Sequence, residues 1–211
     1  VLVGCDASGL ELRCLASYLA HYDNGEYAKI VLEGDVHTAN QQAAGLETRD
    51  QAKTFGYALI YGAGDAKVGS IAGGSMAQGR RLRQNFFDAI PAFKRLLSDV
   101  GSTVDEKGYL KGLDGRKLPC RSKHSALNVL LQSAGAVIMK QALIEFVHSA
   151  QKPYKFHGNI HDEVQFSCDA DHADELGQCF VDSIKQAGKT LNFLCELDGE
   201  YNIGNNWKET H

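Results

Sequence analysis

The sequence predicts an α+β fold: an antiparallel sheet backed by helices, with a mostly helical insertion between about residues 25 and 100. Three observations support this prediction. Apolar runs of strand length occur near both ends, helical periodicity fills the middle, and one long apolar segment has the length of a helix. The chain has 211 residues, 44% of them hydrophobic and 23% charged, which is the composition of a folded globular protein.

The N-terminal half begins with a predicted strand and then becomes helical. Residues 1–5 form an apolar run that ends at Asp6, and leucines recur at helical spacing from Leu10 onwards. A second helix is expected over residues 48–61, because Thr48 is a favourable N-cap residue and Gly62 follows the pattern. Further helical patterns cover residues 66–71, 77–87 and 92–100.

The C-terminal half predicts a return to strands. Asp114 and Gly115 lie between two short strand-like runs, which indicates a β-hairpin over residues 109–118. The elements expected after this hairpin are a helix over 125–149, strands over 154–160 and 164–168, a helix over 170–187 and a last strand over 191–197.

Charge and cysteine spacing restrict the kinds of site that the chain can hold. With 22 basic and 26 acidic residues the net charge is −4, so a nucleic acid would need a local basic surface. Basic residues cluster between positions 80 and 123, although solvated helix faces explain such a cluster equally well. The six cysteines lack Cys-x-x-Cys spacing, which argues against a zinc site or a disulfide framework and indicates reduced cysteines in the core.

No membrane partner is expected. No apolar run in the sequence approaches the roughly 20 residues that cross a bilayer. No secretory signal peptide is recognised at the first residues either.

Two aspartates are the first candidates for chemistry. Asp6 and Asp162 each follow an apolar strand-like run, so each carboxylate is expected at a strand end. Two carboxylates at adjacent strand ends can hold two Mg²⁺ ions for phosphoryl transfer. A turn aspartate in each position is the alternative interpretation.

A polar stripe on one helix is the second candidate. Arg49, Lys53 and Tyr57 are spaced i, i+4, i+8, and Tyr61 extends the same face. Two cations and an aromatic ring suit a nucleoside triphosphate, and Gly62 would let the main chain approach a ligand closely. An exposed amphipathic face whose tyrosines cover the core is the alternative.

Three further polar residues have open interpretations. His37 is expected either to donate to a phosphate or to cap a helix. Asn128 and Gln132 lie four residues apart on one face of the long helix, where their amides could meet nucleic acid. Internal hydrogen bonds would satisfy the same two amides.

Together these segments resemble the family A DNA polymerases, the polymerase I superfamily, and most of all the replicative polymerases of short-tailed bacteriophages. Residues 6–13 resemble motif A, residues 49–62 resemble motif B, and residues 161–163 resemble motif C. Residues 112–116 and the Asn128/Gln132 pair occur in the family's order between the last two motifs. The resemblance extends from Asp6 to Trp207, nearly the whole chain.

The resemblance implies a palm that carries motifs A and C and a fingers subdomain inserted between them. The corresponding expected boundaries are palm over 1–25, fingers over 26–105 and palm over 106–211. It also implies template-directed addition of dNTPs to a primer 3′ end with two Mg²⁺ ions. Their ligands would be Asp6, Asp162 and the Ala7 carbonyl, with Glu163 supporting the site.

The resemblance further implies which residues contact substrate. The residues implied to bind the incoming dNTP are Glu11, His37, Arg49, Lys53 and Tyr57. Among these, Lys53 is also implied in catalysis, and Glu11 would stand where a ribose 2′-hydroxyl would project. The residues implied to contact primer–template DNA are Arg13, Tyr61, Asn128, Gln132 and His161.

The chain also departs from the family pattern. Ala58 stands where the family commonly has glycine, which bears on fidelity or speed. The family's thumb and exonuclease precede motif A, so we expect an N-terminal polymerase fragment as a partner. A phage origin would place the protein in the cytoplasm of an infected bacterium.

Two other functions compete with this interpretation. A single-subunit RNA polymerase would share the two palm carboxylates, but Glu11 beside the sugar favours deoxynucleotides. A nucleic-acid-binding subunit without catalysis would not need both Asp6 and Asp162. The use of dNTPs or NTPs, and metal-dependent primer extension, distinguish these alternatives.

Overall fold

The computed structural model describes residues 1–211 and confirms the α+β class. The strands are β1 (Leu2–Ala7), β2 (Tyr109–Lys111), β3 (Lys117–Pro119), β4 (Lys155–Ile160), β5 (Glu163–Ser167) and β6 (Gly199–Gly204). The helices are α1 (Leu10–Asp23), α2 (Glu26–Glu33), α3 (Val36–Ala44), α4 (Arg49–Ile60), α5 (Asp65–Ile71), α6 (Met76–Ala89), α7 (Pro91–Lys107), α8 (Ala126–Ser149), α9 (Ala173–Thr190) and α10 (Trp207–Thr210).

The chain divides into two compact units. Residues 1–14 and 132–211 form one, here called the sheet unit, and residues 15–131 form the other, the helical unit. The chain passes between them within α1 and within α8. The boundaries of the palm and fingers at residues 25 and 105 stay a prediction.

The sheet unit contains a four-stranded antiparallel sheet in the order β4-β5-β1-β6. Side chains alternate along each strand, so Val3 and Phe166 are buried on the same face. On that face the ring of Phe146 from α8 lies 5.2 Å from Phe166 and 5.2 Å from Phe180 of α9. The core of this unit therefore lies between the sheet and these two helices, which leaves the other face of the sheet for polar residues.

The β4–β5 turn presents Asp162 at one end of the sheet. His161 adopts a left-handed φ of 56°, which lets the chain reverse within two residues. The register then pairs Asp6 of β1 with Glu163 of β5. The predicted pair of strand-end aspartates is therefore brought to the same end of the sheet.

In the helical unit, a capping box begins the predicted α4 helix. Thr48 Oγ1 accepts from the Gln51 main chain, and the Gln51 side chain accepts from the Thr48 main chain. Behind α4 the ring of Phe55 lies 5.4 Å from that of Phe86, which in turn lies 5.3 Å from Phe93. This aromatic cluster fixes α4 against α6 and α7, and so holds the polar face of α4.

One predicted strand is wrong. Residues 191–197 form no strand, because main-chain bonds from Leu191 to Ala187 and from Phe193 to Gly188 end α9 there. The last strand is β6, which pairs only with β1 and is therefore an edge strand. None of its residues is fully buried, so its sequence is mostly polar and lacks the apolar signal of a buried strand.

The expectation that no segment could cross a bilayer also needs correction. Residues 123–149, which include α8, are long and apolar enough to cross a bilayer, and an 18-residue stretch within them has a mean hydropathy of 1.4. Half of that stretch is buried inside the protein, and the buried core helix of a folded domain has the same length and composition. We therefore interpret α8 as a core helix.

The six cysteines are all free thiols. Cys5, Cys14, Cys120 and Cys195 are buried, whereas Cys168 and Cys179 are partly exposed. Burial raises the pKa of the Cys5 thiol, and the negative charge of Glu163 adds to that effect. The four buried thiols therefore act as small apolar core groups, whereas the prediction of a core position is wrong for Cys168 and Cys179.

Candidate functional site

Main-chain bonding joins the two predicted aspartate segments. The Ala7 N–H donates to the Asp162 carbonyl oxygen at 3.0 Å, one residue beyond the Asp6–Glu163 pair. On the other side of β1, Asp6 pairs in register with Glu200 of β6. Directly opposed side chains in a sheet share a face, so Asp6 lies in a row with two further carboxylates.

The surroundings of Asp6 favour its protonated form. Burial, and after it repulsion from Asp162, Glu200 and Glu163, together raise the pKa of Asp6 from 3.8 to about 6. The charge of His211 opposes it only in part. The site thus carries an excess of negative charge, which a bound cation would neutralise.

The donor set fits Mg²⁺. It consists of two carboxylates, Asp6 and Asp162, whose main chains are joined at one end of the sheet. No group of three or more His, Cys, Asp or Glu side chains has metal-binding geometry. A site of hard oxygen donors with few protein ligands suits an ion that keeps water and substrate oxygens in its coordination shell.

Glu163 is held by three donors. The side-chain amide of Gln165 and the Trp207 Nε1–H, at 2.9 Å, both donate to Glu163 Oε1. His211 Nδ1 lies 2.5 Å from Oε2. Burial alone would raise the pKa of Glu163, but the bonds from Gln165, His211 and Trp207 outweigh burial and lower it.

Glu11 and Gln132 are bonded to each other. Gln132 Nε2 donates to Glu11 Oε1 at 2.9 Å, across 121 positions of the sequence. Arg13 donates from Nε to the Ser8 carbonyl at 2.7 Å and from Nη1 to the Glu196 carbonyl. Gln132 therefore makes an internal hydrogen bond, which was one of its two predicted interpretations, and no local pattern in the sequence predicts Glu11 as its partner.

The polar stripe of α4 contains an ion pair that the sequence pattern does not predict. Arg49 donates to Asp35 from Nε at 2.6 Å and from Nη2 at 3.2 Å. Asp35 is also the N-cap of α3, where it accepts from the main chains of His37 and Thr38. The start of this helix is predictable from the sequence, because aspartate, here two residues before His37, is a favourable N-cap residue. The Arg49 side chain pulls the pKa of Asp35 well below its usual range.

His37 lies in the first turn of α3, beside the stripe. Its ring centroid is 6.5 Å from that of Tyr57 on α4. Burial and then the charge of Arg49 lower the pKa of His37, opposed in part by Asp35. A neutral His37 at pH 7 can donate one hydrogen bond without adding a charge.

The C-terminal end of the stripe differs from the expectation for Gly62. Tyr61 is 54% exposed, and Lys53 is also exposed. Gly62 has a φ of 76°, and a Cβ there would lie 2.0 Å from the His124 carbonyl oxygen. The close approach that this glycine permits is thus to the protein's own main chain instead of a ligand.

The predicted residues fall into two groups. Those in the sheet unit are Asp6, Ala7, Glu11, Arg13, Gln132, His161, Asp162 and Glu163. Those in the helical unit are His37, Arg49, Lys53, Tyr57, Tyr61 and Asn128. Within each unit the structure brings the main candidates together: the aspartates at one sheet end, and His37, Arg49 and Tyr57 along α3 and α4.

Comparison with known proteins identifies the family. Residues 1–209 match the model of DNA polymerase family A, and the chain belongs to this family. The DNA-directed DNA polymerases of Enterobacteria phage T3 and Escherichia phage T7 are each 42% identical to it over 238 residues. Each alignment covers 100% of this chain and 33% of the relative, so the chain spans about a third of the length of these relatives.

A solved structure supports the fold. The POL domain of Pol1 from M. smegmatis, in complex with DNA primer-template and dNTP, matches with a TM-score of 0.84. The match covers 99% of this chain and 40% of that one, at 21% sequence identity. At this identity the likeness supports the shared architecture alone.

Proposed function

We propose that this chain is the palm and fingers part of a template-directed DNA polymerase, with palm over residues 1–25 and 106–211 and fingers over 26–105. One observation carries the proposal: the Ala7–Asp162 hydrogen bond joins the two aspartate segments at one sheet end. The negative charge around Asp6 supports it, because such a charge calls for cations. Family membership supports the reaction type.

In this proposal Asp6 and Asp162 hold two Mg²⁺ ions, with the Ala7 carbonyl as a further ligand. When bound, the ions would activate the primer 3′-hydroxyl and stabilise the charge that develops on the leaving pyrophosphate. Asp6 and Asp162 would hold the ions in position, and Glu163 supports the turn that carries Asp162. The chain itself thus supplies position and electrostatics for the displacement.

His37, Arg49 and Lys53 are proposed to bind the triphosphate, and Tyr57 to pack on the incoming sugar and base. Lys53 is exposed and adds its charge where the phosphates gain negative charge in the transition state. Arg49 would exchange or share its bond to Asp35 when phosphate binds. Because a phosphate carries more charge than a carboxylate, that exchange is favourable.

Glu11 is proposed to exclude a ribose 2′-hydroxyl, with its carboxylate oriented by Gln132. Arg13, Tyr61, Asn128, Gln132 and His161 are proposed to contact primer–template DNA. These contacts would follow the shape of the duplex and not its sequence, as a polymerase that copies any template needs.

The proposed partners are primer–template DNA, dNTPs and an N-terminal polymerase segment, for which the family resemblance implies a thumb and an exonuclease. The share of the phage polymerases that this chain covers, 33%, supports such a partner segment. The identity to phage polymerases supports a place in the cytoplasm of an infected bacterium.

Single-nucleotide primer extension tests the proposal. The chain is mixed with an upstream segment of a family A phage polymerase, and each dNTP and NTP is offered against each template base with Mg²⁺. We expect incorporation of the complementary dNTP only. Preference for NTPs would favour an RNA polymerase, and DNA binding without incorporation would favour a subunit that only binds nucleic acid.

A further inference from the structure

The C-terminal turn of the chain lies on the same sheet face as the proposed metal ligands. Gly4 of β1 is buried, and a Cβ at this position would lie 2.3 Å from the Thr210 carbonyl oxygen. Only a residue without a side chain permits this approach, so α10 rests directly on β1. Thr210 Oγ1 then donates to Gln165 Oε1 at 3.0 Å, which anchors the turn to β5.

This turn reaches Glu163 through both carboxylate oxygens. Oε1 accepts from Trp207 Nε1 at 2.9 Å and from the Gln165 amide, which Thr210 orients. Oε2 lies 2.5 Å from His211 Nδ1. The Glu163 side chain is only 9% exposed, so these donors replace the water that a free carboxylate would have.

Glu163 would otherwise be within reach of the proposed metal site. It pairs in register with Asp6, and both residues lie within regular strands, so their side chains are on the same face of the sheet. The Cβ atoms of directly opposed residues in an antiparallel sheet lie about 4.5–5.5 Å apart, which two carboxylates can bridge through one cation. A third carboxylate ligand would tighten cation binding and alter the charge of the site.

We propose that the C-terminal turn, through Trp207 and His211, is a positioning element that keeps Glu163 out of the metal coordination shell. The inference rests on the proposed function of Asp6 and Asp162 as metal ligands. Trp207 and His211 are therefore positioning residues that act through Glu163. They remove one of the two carboxylates that flank Asp6 in the sheet from the reach of a bound cation.

Mn²⁺ titration of the chain, followed by the electron paramagnetic resonance signal of free Mn²⁺, tests this inference. Trp207→Phe combined with His211→Ala removes both donors of the turn while a ring still packs at position 207. We expect this double variant to bind Mn²⁺ about three- to tenfold more tightly than the parent chain. Adding Glu163→Gln should abolish the gain, because the amide is a weaker ligand for the cation.

Two control variants distinguish a general change in the structure of the C-terminal turn from a change in the position of Glu163. Lys208→Ala alters the same turn at an exposed residue without a bond to Glu163, and it should leave the affinity unchanged. Thr210→Val loosens Gln165 without removing a donor to Glu163, and it should give a smaller gain in the same direction even if the double variant unfolds.

The outcomes also distinguish this inference from the proposed function. Equal or weaker Mn²⁺ binding by the double variant, with parental binding that Asp6→Asn abolishes, would overturn the inference alone. Parental binding that is absent or insensitive to Asp6→Asn would overturn the proposed metal site and the inference with it. A gain that survives Glu163→Gln would show that another group supplies the new ligand, which also overturns the inference.

Discussion

The main-chain N–H of Ala7 donates to the carbonyl oxygen of Asp162 at 3.0 Å, across 155 positions of sequence. This bond continues the antiparallel ladder of β1 and β5 into the turn before β5. It therefore fixes the position of the Asp162 backbone relative to Asp6 and leaves both carboxylate side chains for other partners. A rigid main-chain connection of this kind suits a site whose function depends on the distance between two charges.

The crowding of carboxylates around Asp6 predicts a cost in stability. The folded chain raises the pKa of Asp6 from 3.8 to about 6, so it binds that proton more tightly than the unfolded chain does. The contribution of Asp6 to stability is therefore full below about pH 4 and is lost as the pH rises through about 6. Asp6→Asn should raise the free energy of unfolding at about pH 7.5 by about 1–2 kcal/mol, after allowance for partial exposure.

Urea unfolding with a chelator present measures this effect. The difference between Asp6→Asn and the parent chain should shrink as the pH falls and approach zero below about pH 3, where both states hold the proton. Asp171→Asn, an exposed aspartate outside the site, should show no such pH-dependent gain. A destabilised Asp6→Asn chain at neutral pH would contradict the repulsion described here.

The two cations of the α4 stripe are expected to contribute unequally to the rate of nucleotide incorporation. Lys53→Ala should lower kcat about 10- to 100-fold, because the lost charge faces the phosphates in the transition state. Arg49→Ala should have a smaller effect, because Asp35 neutralises Arg49 in the free protein. Steady-state nucleotide incorporation measures both, with Lys29→Ala as an exposed lysine control in the same unit. A defect in DNA binding with unchanged nucleotide kinetics would remove both residues from the triphosphate site.

The bond between Glu11 and Gln132 predicts coupled effects on sugar selection. Glu11→Ala should raise ribonucleotide incorporation about tenfold, because it opens space beside the sugar. Gln132→Leu should raise it less, since it removes a donor to Glu11 but keeps the carboxylate. The double variant should match Glu11→Ala alone, because residues in one network are not additive.

Gln141 gives a matched control for this cycle. It lies on the same helix and donates to Glu145 at 2.8 Å, so Gln141→Leu removes an equivalent bond outside the proposed site. That variant should leave the ratio of NTP to dNTP incorporation unchanged. Fully additive effects of Glu11→Ala and Gln132→Leu would mean that the two side chains act separately.

The capping box of α4 predicts a local contribution to stability. Thr48→Ala should lower the free energy of unfolding by about 1 kcal/mol, because the Gln51 N–H loses its acceptor. Thr48→Ser keeps the hydroxyl and should cost much less. Equal losses in the two variants would show that packing of the threonine methyl, instead of the cap, stabilises this end of α4. Thermal or urea unfolding of the two variants measures the difference.

Periodic patterns in the sequence predicted most elements, since β1, α4, α8 and the β4–β5 pair are encoded by local apolar spacing and caps. The last strand could not be found in this way. Its apolar neighbours Cys195 and Leu197 are buried in an irregular segment, whereas the edge strand that follows is polar. Whether a residue is buried depends on its tertiary position. Here the buried apolar residues lie outside the strand, so an apolar pattern does not locate the strand.

The site was predictable where it depends on strand ends and helix faces. Asp6, Asp162 and the α4 stripe follow from such local rules together with the family resemblance. The bonds from Gln132 to Glu11 and from Trp207 to Glu163 join residues far apart in sequence, and no local pattern announces them. They depend on how the strands and helices pack, which the sequence specifies only through the whole fold.

Single-turnover incorporation of a complementary dNTP tests the central claim most directly, with the chain, its upstream segment, primer–template and Mg²⁺ present. Asp162→Asn keeps the main-chain carbonyl that bonds to Ala7 and removes only the side-chain charge. We predict a loss of at least about 100-fold in the rate of incorporation, with DNA binding retained and Asp171→Asn near the parental rate. Incorporation by Asp162→Asn at close to the parental rate would contradict the assignment of this carboxylate to catalysis.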